Sequence, residues 1–589
     1  MMRTKPALRP VMTCTALGLL LACWSCAARS VDLSPTAWGE GELARVFERN
    51  GQVGDSAVAA EGEQMMIVGT TGAPAVRAGM EALRQGGHAV DAVLTTALGE
   101  ICLAGGSWVS YAGLFTMVVY EAETGEVHSM NAAFDIPALE DDPASIPALG
   151  SGVPSGRTAL VPGFMAGVQS AHDRFGKLPF EEIFAPAIHF ADEGFEIPGF
   201  LGRMIEDRRD VLARLPEAKR VFTKEDGSFY AAGDHFRQPE LAHTLRRVAS
   251  DGAAYMYDGP WAERFVELVN REGGRMTLDD LRTYEPLWAA PVRTTFGDYE
   301  VYSQGLPAHG GVNAIECLNL IEASNLAAYG HPSESAEAFF WLSQLTNLMG
   351  LSYLTPEITA FVVPDEEVTL ESRLTKEWAE RIWERMRAGE LPLTVAPAEG
   401  THSDAVVAVD RWGNAAAIVH SINTVTWGET GIFVDGISIP DAAAFQQAPM
   451  AQAGAGNRLP DPTNPLLVLR DGRPYVVSSS IGAGLHHKSV HCLLNVLAYD
   501  MDPAAAIDAP EIMLPEWNAM GRATARTAEG AFSPELIEAV RAMGQPVKVL
   551  APDEQRMARG YWVGIRIDPE TGRMSGAASA IVAGYALGE

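Results

Sequence analysis

The sequence predicts an α+β protein in which helix and strand signals alternate along most of the chain. Short apolar runs such as residues 65–70 (MMIVGT) are typical of buried strands. Amphipathic runs such as residues 73–87 (APAVRAGMEALRQGG) are typical of helices that end at a glycine C-cap. In the last third of the chain, residues 466–480 (LLVLRDGRPYVVSSS) carry the Asp-Gly signal of a β-hairpin.

The other elements are predicted from the same signals, taken in chain order. Before residue 350 they include a helix from about Val90, a strand over 114–121 (LFTMVVYE) and a helix over 180–194 (FEEIFAPAIHFADEG). Later come two strands, 404–410 and 415–423, joined by Arg411-Trp412-Gly413-Asn414. The run 534–545 (PELIEAVRAMGQ) predicts a helix with Ser533 as its cap, Pro534 in its first turn and Gly544 past its end.

Residues 365–402 interrupt this alternation. A charged helical run over 371–390 gives way to 391–400 (LPLTVAPAEG), which is proline-bearing and extended. Such a stretch is typical of an exposed linker, and exposed linkers are where chains are most readily cut.

Composition and charge exclude some classes of partner. With 47% hydrophobic and 20% charged residues, the chain is typical of globular proteins. Its 75 acidic residues outweigh 44 basic ones, which gives a net charge of −31. Because phosphate binding needs clustered positive charge, this balance argues against a nucleic-acid partner. The excess of acidic residues is explained most simply by solubility.

The N-terminus is a targeting segment rather than part of the fold. Arg3, Lys5 and Arg9 form a basic start, and Ala16–Ala22 is an apolar stretch too short to span a bilayer. The ending LLAC resembles a bacterial lipobox, so residues 1–23 are interpreted as a signal peptide and Cys23 as the lipidated first mature residue. A plain signal peptide, cut near residues 27–28, is the alternative. Either way the protein is exported, to the periplasm or the cell surface, and only the lipid anchor would hold it at a membrane. Residues 24–62 are interpreted as a tether.

The cysteines and histidines do not indicate a disulfide framework or a metal site. Three cysteines lie in or beside the targeting segment, and three others, in apolar surroundings, are predicted to be buried free thiols: Cys102, Cys317 and Cys492. The one histidine pair, His486-His487, is assigned to a strand, where neighbours face opposite ways and do not share a metal ion. No metal or organic cofactor is therefore predicted.

Four stretches resemble the γ-glutamyltransferase family of N-terminal nucleophile hydrolases. They are 82–92 (ALRQGGHAVDA), 160–195 (LVPGFMAGVQSAHDRFGKLPFEEIFAPAIHFADEGF), 299–312 (YEVYSQGLPAHGGV) and the hairpin region from residue 403. The resemblance implies a four-layer αββα sandwich, made as a precursor that cuts itself into two subunits. These would be a large subunit, 63–402 with the linker 365–402, and a small catalytic subunit, 403–589. It also implies a small-molecule amide or peptide substrate.

The resemblance assigns a nucleophile. In the family a Thr opens the small subunit, seven residues before the Asp of a VD-x-x-GN turn. Here that turn ends at Asn414, and counting back seven from its Asp410 reaches Ser403. The family also has hydroxyl and amide residues eighteen and twenty positions after the nucleophile, which here are Ser421 and Asn423. Thr401 is the alternative nucleophile, but it would need two inserted residues.

Hairpin geometry supports the same residues independently. A three-residue loop over 411–413, with Gly413 in the left-handed conformation, is a common bulged turn that pairs Asp410 with Asn414. That register puts Ser403 directly opposite Ser421, whereas a two-residue turn would put Ile422 there. Without the resemblance, an ordinary serine at the end of a strand is the simpler interpretation of Ser403.

The resemblance also indicates an oxyanion site. At the positions where the family binds its substrate, this chain has different residues. Residues 478–484 (SSSIGAG) resemble the glycine pair whose backbone N–H groups face the oxyanion, so Gly482 and Ala483 are candidates, although flexible glycine loops are common. The family arginine for the γ-glutamyl carboxylate is replaced in residues 130–137 (MNAAFDIP) by Ala132-Ala133, and a serine pair by Asp461-Pro462. For the acid that would bind the substrate amino group, Asp435 and Asp441 are the candidates.

The sequence thus predicts an autoprocessed amide hydrolase or acyltransferase that works through an acyl-enzyme on Ser403. One alternative is an acylase for another side chain, of the kind this fold uses on cephalosporin-type amides. Another is a surface lipoprotein whose catalytic site has decayed and which only binds a ligand.

Overall fold

The computed structural model describes residues 31–354, 356–391, 403–517 and 523–589, and the compact unit considered below is Asp32–Glu589. Its strands, in chain order, are β1 (Val58–Gly62), β2 (Met66–Gly69), β3 (Leu114–Glu121), β4 (Glu126–Ala132), β5 (Phe195–Glu196), β6 (His235–Phe236), β7 (Leu287–Ala289), β8 (Val292–Phe296), β9 (Tyr299–Ser303), β10 (Ser403–Val409), β11 (Ala415–Ser421), β12 (Phe433–Val434), β13 (Ile437–Ser438), β14 (Leu466–Arg470), β15 (Arg473–Ile481), β16 (Met513–Trp517), β17 (Ala523–Ala528), β18 (Val547–Leu550), β19 (Tyr561–Ile567), β20 (Met574–Ala578) and β21 (Tyr585–Gly588).

The helices of the described residues, in chain order, are α1 (Glu42–Glu48), α2 (Ala73–Arg84), α3 (Ala89–Leu103), α4 (Phe164–Phe175), α5 (Phe180–Glu193), α6 (Gly199–Asp207), α7 (Arg209–Arg214), α8 (Pro216–Phe222), α9 (Pro239–Asp251), α10 (Ala254–Tyr257), α11 (Pro260–Arg271), α12 (Leu278–Arg282), α13 (Gly310–Ala323), α14 (Ala336–Asn347), α15 (Pro356–Val362), α16 (Leu370–Arg373), α17 (Lys376–Arg387), α18 (Gln447–Ala453), α19 (Leu485–Tyr499), α20 (Pro503–Asp508) and α21 (Pro534–Ala542). None of them is both long and apolar enough to cross a membrane.

Two antiparallel sheets form the centre of the protein. Sheet I has the order β1-β20-β19-β15-β14-β9-β8, and sheet II has the order β21-β2-β10-β11-β3-β4-β7. Their facing sides share one apolar core, to which Val407 and Val419 contribute from sheet II and Leu467 and Val563 from sheet I. The β10–β11 hairpin lies inside sheet II, covered on both faces, which explains why every residue of both strands is buried.

Helices cover the outer face of each sheet. On sheet II, α3 is buried along its whole length and packs against β10 and β11. On sheet I, Leu318 of α13, Trp378 of α17 and Leu493 of α19 join a second core with Val476 of β15. The layers therefore run helix, sheet, sheet, helix. The predicted four-layer αββα sandwich is confirmed.

Local signals in the sequence correspond closely to the observed elements. The helix that was predicted to end at a glycine cap is α2, followed by Gly86 at φ 90°. The Asp-Gly hairpin joins β14 to β15, with Asp471 and Gly472 at φ 52° and 73°. Ser533 caps α21 by accepting a hydrogen bond from the backbone N–H of Leu536. The three cysteines predicted to be free thiols are free and buried: Cys102, Cys317 and Cys492.

Two segment predictions are wrong in extent. The tether was predicted to reach residue 62, but residues 58–62 form β1, which pairs with β20 at the edge of sheet I. The linker was predicted to start at residue 365, but α17 packs Trp378 and Ile382 fully into the core. In both cases the exposed residues lie on one side of an element whose other side packs against the protein. Residues 392–402 and the signal peptide with Cys23 lie outside the described residues.

Candidate active site

Ser403 is the first residue of β10, and the turn between β10 and β11 decides which residue faces it. The backbone N–H of Asp410 donates to the Asn414 carbonyl over 3.0 Å, and Gly413 has φ 85°. Ser403 is then paired directly with Ser421. The predicted register of the bulged hairpin is confirmed.

The carboxylate of Asp410 fixes this turn. Its Oδ1 accepts hydrogen bonds from the backbone N–H groups of Trp412 at 2.9 Å and Asn414 at 3.0 Å. Its Oδ2 accepts from the Asn414 side-chain amide at 2.8 Å and from the backbone N–H of Ala89 at 3.1 Å. Because Ala89 begins α3, Asp410 ties the hairpin to the helix layer, and a slip of one residue would break all four bonds.

The two serine hydroxyls are in direct contact. Ser403 Oγ donates to Ser421 Oγ over 2.9 Å, and both residues are buried. The backbone N–H of Asn423 donates to the same Ser421 oxygen at 2.9 Å. Asn423 has φ 51°, which bends the chain after β11 so that its N–H turns back toward the serine pair. The pair therefore holds the Ser403 hydroxyl in one orientation. Thr401, the alternative nucleophile, lies outside the described residues.

Gly482 and Ala483 follow β15 and precede α19. Gly482 has φ 85°, and a Cβ there would lie 2.9 Å from Cδ2 of Tyr561, so both conformation and space require glycine. The next residues begin a helix, whose N-terminus carries partial positive charge. Backbone donors in this position suit a developing oxyanion, and alanine supplies the same N–H as glycine.

Two cavities adjoin the serine pair. One, of about 420 Å³, is lined by Ser403 and Gly482. The other, of about 600 Å³, is lined by Asn423 and Ala483. Gly482, which lines the first cavity, is followed directly by Ala483, which lines the second, so the two cavities flank one peptide group.

Among the described residues that line the 600 Å³ cavity, none is Asp, Glu, Lys or Arg, and we call it the neutral cavity. Its three histidines are buried, which lowers the pKa of His309 and His487 to about 3 and that of His486 to about 4. Apolar side chains complete the lining, among them Met349, Leu354 and Phe445.

His486 and His487 also correct a prediction. They were assigned to a strand, but both lie in the first turn of α19 and both line the neutral cavity. His486 Nε2 is 2.8 Å from the Pro462 carbonyl oxygen, and its Nδ1 is 3.1 Å from the Asn313 amide nitrogen. Both ring nitrogens of His486 are thus engaged with protein groups.

Comparison with known proteins identifies the family. The sequence profile of the family described as Gamma-glutamyltranspeptidase matches residues 75–588. The chain belongs to this family. The glutathione hydrolase proenzyme of Escherichia coli K12 is 25% identical over 558 residues, which are 88% of this chain and 92% of that protein. The glutathione hydrolase proenzyme of Bacillus subtilis 168 is 24% identical over 568 residues, covering 89% and 91% of the two chains.

A solved structure supports the fold of this γ-glutamyltranspeptidase-family chain. The crystal structure of cephalosporin acylase from Bacillus halodurans superposes with a TM-score of 0.74. The two are 21% identical, and the match covers 90% of this chain and 97% of that one. The predicted family, N-terminal nucleophile fold and enzyme class are therefore confirmed.

Two carboxylates predicted to bind substrate do not line either cavity in this γ-glutamyltranspeptidase-family chain. Asp435 lies in the turn between β12 and β13, paired with Arg264, and lines a different cavity. Asp441 is 1% exposed, and its oxygens accept hydrogen bonds from Thr424 Oγ1 at 2.6 Å and the Glu429 N–H at 2.7 Å. Asp441 therefore positions the segment after Asn423. The assignment of either residue to the substrate amino group stays a prediction.

The position that the resemblance assigns to the family arginine is occupied by an uncharged residue. Ala133, at the arginine position, is buried. Arg458 is bound by Asp135 and by the carbonyls of Asn131 and Glu285. Asp461 was predicted to repel a carboxylate, but it is 1% exposed and its oxygens accept from Asn131, Gln304 and Thr463. Asp461 thus faces the protein interior, where its oxygens are engaged by protein groups.

Sequence reasoning missed a buried acidic cluster behind the nucleophile. Glu100 of α3, Asp404 of β10 and His420 of β11 are fully buried, and their donor atoms all lie within 4.8 Å of one another. His420 Nε2 is 2.9 Å from Glu100 Oε2. Both oxygens of Asp404 accept hydrogen bonds, from Thr70 Oγ1 at 3.1 Å and from Trp108 Nε1 at 3.0 Å.

Burial opposes ionisation of this cluster. It raises the pKa of Asp404 to about 7 and that of Glu100 well above its usual range, and it lowers the pKa of His420 to about 3. Burial therefore works against the charged form of both partners in the Glu100–His420 contact. Such a donor set could also hold a metal ion, so the predicted absence of a cofactor stays a prediction.

Proposed function

We propose that the chain cuts itself between His402 and Ser403 and then acts as a γ-glutamyltransferase-like acyltransferase or amide hydrolase, with Ser403 as its N-terminal nucleophile. The observation that carries this proposal is the 2.9 Å contact between the hydroxyls of Ser403 and Ser421 at the start of a central strand. A serine hydroxyl is a weak nucleophile until a base removes its proton. In this proposal the base is the α-amino group of Ser403, which becomes free only when the preceding peptide bond breaks.

Self-cleavage would proceed through an ester. The Ser403 oxygen attacks the carbonyl carbon of His402, and the C–N bond breaks as the Ser403 nitrogen takes up the proton. Water then hydrolyses the ester, which leaves a carboxylate on His402 and a free amine on Ser403. N-terminal sequencing of the purified protein tests this step, with a small fragment that begins at Ser403 as the expected result.

The same atoms would then act on a substrate amide. The freed amine takes the hydroxyl proton, and the Ser403 oxygen attacks the substrate carbonyl. The backbone N–H groups of Gly482 and Ala483 would stabilise the oxyanion, and the amine leaves with a proton. Water or a second amine resolves the acyl-enzyme, giving hydrolysis or transfer. Ser421 holds the attacking oxygen throughout.

The neutral cavity favours a second candidate, an acylase for a group other than γ-glutamyl. A γ-glutamyl group carries a carboxylate and an ammonium. The described residues that line the neutral cavity provide no opposite charge for either group. Burying a charge without a partner is strongly disfavoured. An apolar, uncharged acyl group fits the lining of Met349, Leu354 and Phe445 better.

A γ-glutamyl anilide is therefore expected to be a poor substrate. Loss of one partner of a charge pair typically costs on the order of 2–5 kcal/mol of binding free energy. This corresponds to a roughly thirtyfold to several-thousandfold weaker preference for the γ-glutamyl group. We expect kcat/KM for the γ-glutamyl anilide to lie below that for the best uncharged acyl anilide by such a factor. The rate at which the self-cleaved protein releases aniline gives kcat/KM for both substrates. The Ser403→Ala protein gives the background rate of hydrolysis, which is subtracted. Efficient cleavage of the γ-glutamyl anilide, competed by glutathione, would restore the activity usual for the family.

We also propose that the mature protein is lipid-anchored through Cys23, on the basis of the LLAC sequence. Cys23→Ser is expected to move the protein from the membrane fraction to the soluble exported fraction. Immunoblotting of fractionated cells checks this, with Cys26→Ser as the matched control. If the Cys23→Ser protein stays with the membrane, the anchor is disproved.

A further inference from the structure

The 420 Å³ cavity at Ser403 differs in charge from the neutral cavity. Its walls near the nucleophile are apolar or aromatic, with Trp108, Phe200, Ile481 and Tyr561 among them. Three arginines also line it: Arg203 of α6, and Arg556 and Arg559 from the segment before β19. We call it the arginine cavity. Three cations in one cavity are notable in a chain with a net charge of −31.

Two of these arginines are free to bind a ligand. Within the described residues, the side chains of Arg203 and Arg556 form neither ion pairs nor hydrogen bonds, and both residues are exposed. Arg559 is paired with Glu511, with 2.8 Å between Nε and Oε1. Two acidic residues also line the cavity. Asp404 is buried and already bonded to Trp108 and Thr70, and Asp55 is exposed.

We propose that the arginine cavity binds a carboxylate on the amine portion of the substrate, the part that leaves when Ser403 is acylated. The substrate class is then an N-acyl amino acid or short peptide with a free carboxylate on the amine side and an uncharged acyl group. This inference rests on the proposed function of Ser403 and specifies its substrate. Arginine suits the role because its guanidinium binds a carboxylate through two parallel hydrogen bonds.

The direction of binding follows from charge and from the route of the leaving amine to solvent. The acyl group stays covalently attached to Ser403 until water or an amine arrives, and the neutral cavity offers an uncharged acyl group apolar contacts such as Met349 and Phe445. The leaving amine must return to solvent, and the arginine cavity has exposed Arg203 and Arg556 on its lining. Since the neutral cavity offers a carboxylate no counter-charge among its described residues, the carboxylate is directed to the other side of the Gly482–Ala483 peptide group.

The test uses matched substrates and the self-cleaved full-length protein. A panel of N-acyl-phenylalanines with acetyl, butanoyl, octanoyl and phenylacetyl groups is compared with the same compounds as phenylalaninamides. We expect a lower KM for the carboxylates. The double variant Arg203→Gln, Arg556→Gln should raise KM for the carboxylates about tenfold, as loss of a hydrogen bond to a charged group typically does, with little change in kcat. KM for the carboxamides should not change.

Controls separate the possible outcomes. Arg473→Gln removes an exposed arginine that lines neither cavity and is expected to change nothing. A glutaryl anilide, with its carboxylate on the acyl side, is expected to be insensitive to the double variant. Sensitivity of the glutaryl anilide alone would overturn the proposed direction. Equal KM values for carboxylates and carboxamides, or a self-cleaved protein that hydrolyses none of the carboxylates, would overturn the substrate class. A chain that never cuts itself would instead disprove the proposed role of Ser403.

Discussion

Ser403→Ala is expected to yield one uncut polypeptide without amide hydrolase activity. The substitution removes the attacking oxygen from both reactions, and without cleavage the α-amino base never forms. Removing a catalytic serine in this way typically costs at least about 10⁴-fold in rate. The fold should survive, because alanine fits the buried start of β10 and the hairpin is held by Asp410 rather than by Ser403. Denaturing electrophoresis and anilide hydrolysis measure the two effects.

Two further variants make this test specific. Ser403→Thr keeps the hydroxyl and is expected to cut itself, with a small fragment that begins at the substituted residue. Thr401→Ala removes the alternative nucleophile and should leave cleavage before Ser403 unchanged. If the mature small fragment of the unmodified protein begins at Thr401, the assignment by spacing is wrong and the nucleophile moves by two residues.

The hairpin at the active site could be predicted from sequence because its determinants are local. Asp410, Gly413 and Asn414 lie within five positions, and the turn they form fixes the pairing of strands that extend from it. Once the register is fixed, the pairing of Ser403 with Ser421 follows by counting. The same holds for the capped helices, whose stop signals lie next to the helices themselves.

The parts that sequence reasoning missed depend on residues that are distant in the chain. Glu100, Asp404 and His420 come from three different elements, and a single polar residue in a buried strand carries no sign of its partners. Asp435 and Asp441 were equivalent candidates in sequence. In the folded chain Asp435 pairs with Arg264, and Asp441 accepts a hydrogen bond from Thr424. The arginine cavity likewise combines α6 with a segment more than three hundred residues later.

The buried cluster of Glu100, Asp404 and His420 is expected to make the free energy of unfolding depend on pH. The residue responsible is Asp404, which follows the nucleophile Ser403 in the chain. Asp404 has an ordinary pKa of 3.8, which burial raises to about 7. Below the lower value both the folded and the unfolded chain hold the proton, and Asp404 makes no difference. Between the two values the unfolded chain releases a proton that the folded chain retains, so the free energy of unfolding falls as pH rises. Above the higher value the folded protein carries a buried carboxylate, and no further stability is lost.

Asp404→Asn is therefore expected to flatten the pH dependence of stability. The gap between 3.8 and about 7 corresponds to about 4 kcal/mol, at 1.36 kcal/mol per pH unit, lost by the unmodified chain between pH 4 and 8. The asparagine cannot ionise, so most of that loss should disappear. At pH 4 the variant should be less stable by about 1–3 kcal/mol, since its NH₂ group replaces an oxygen that Thr70 or Trp108 needs as acceptor.

The measurement is best made in the Ser403→Ala background, where the chain stays in one piece and unfolding does not depend on subunit association. Urea denaturation at pH 4, 5, 6, 7 and 8 gives the midpoint for each protein. Asp298→Asn, at an exposed position, is the control and should follow the unmodified pH profile. If the Asp404→Asn profile is parallel to that of the unmodified chain, folding does not raise the pKa of Asp404, and the proposed link between this residue and stability is wrong.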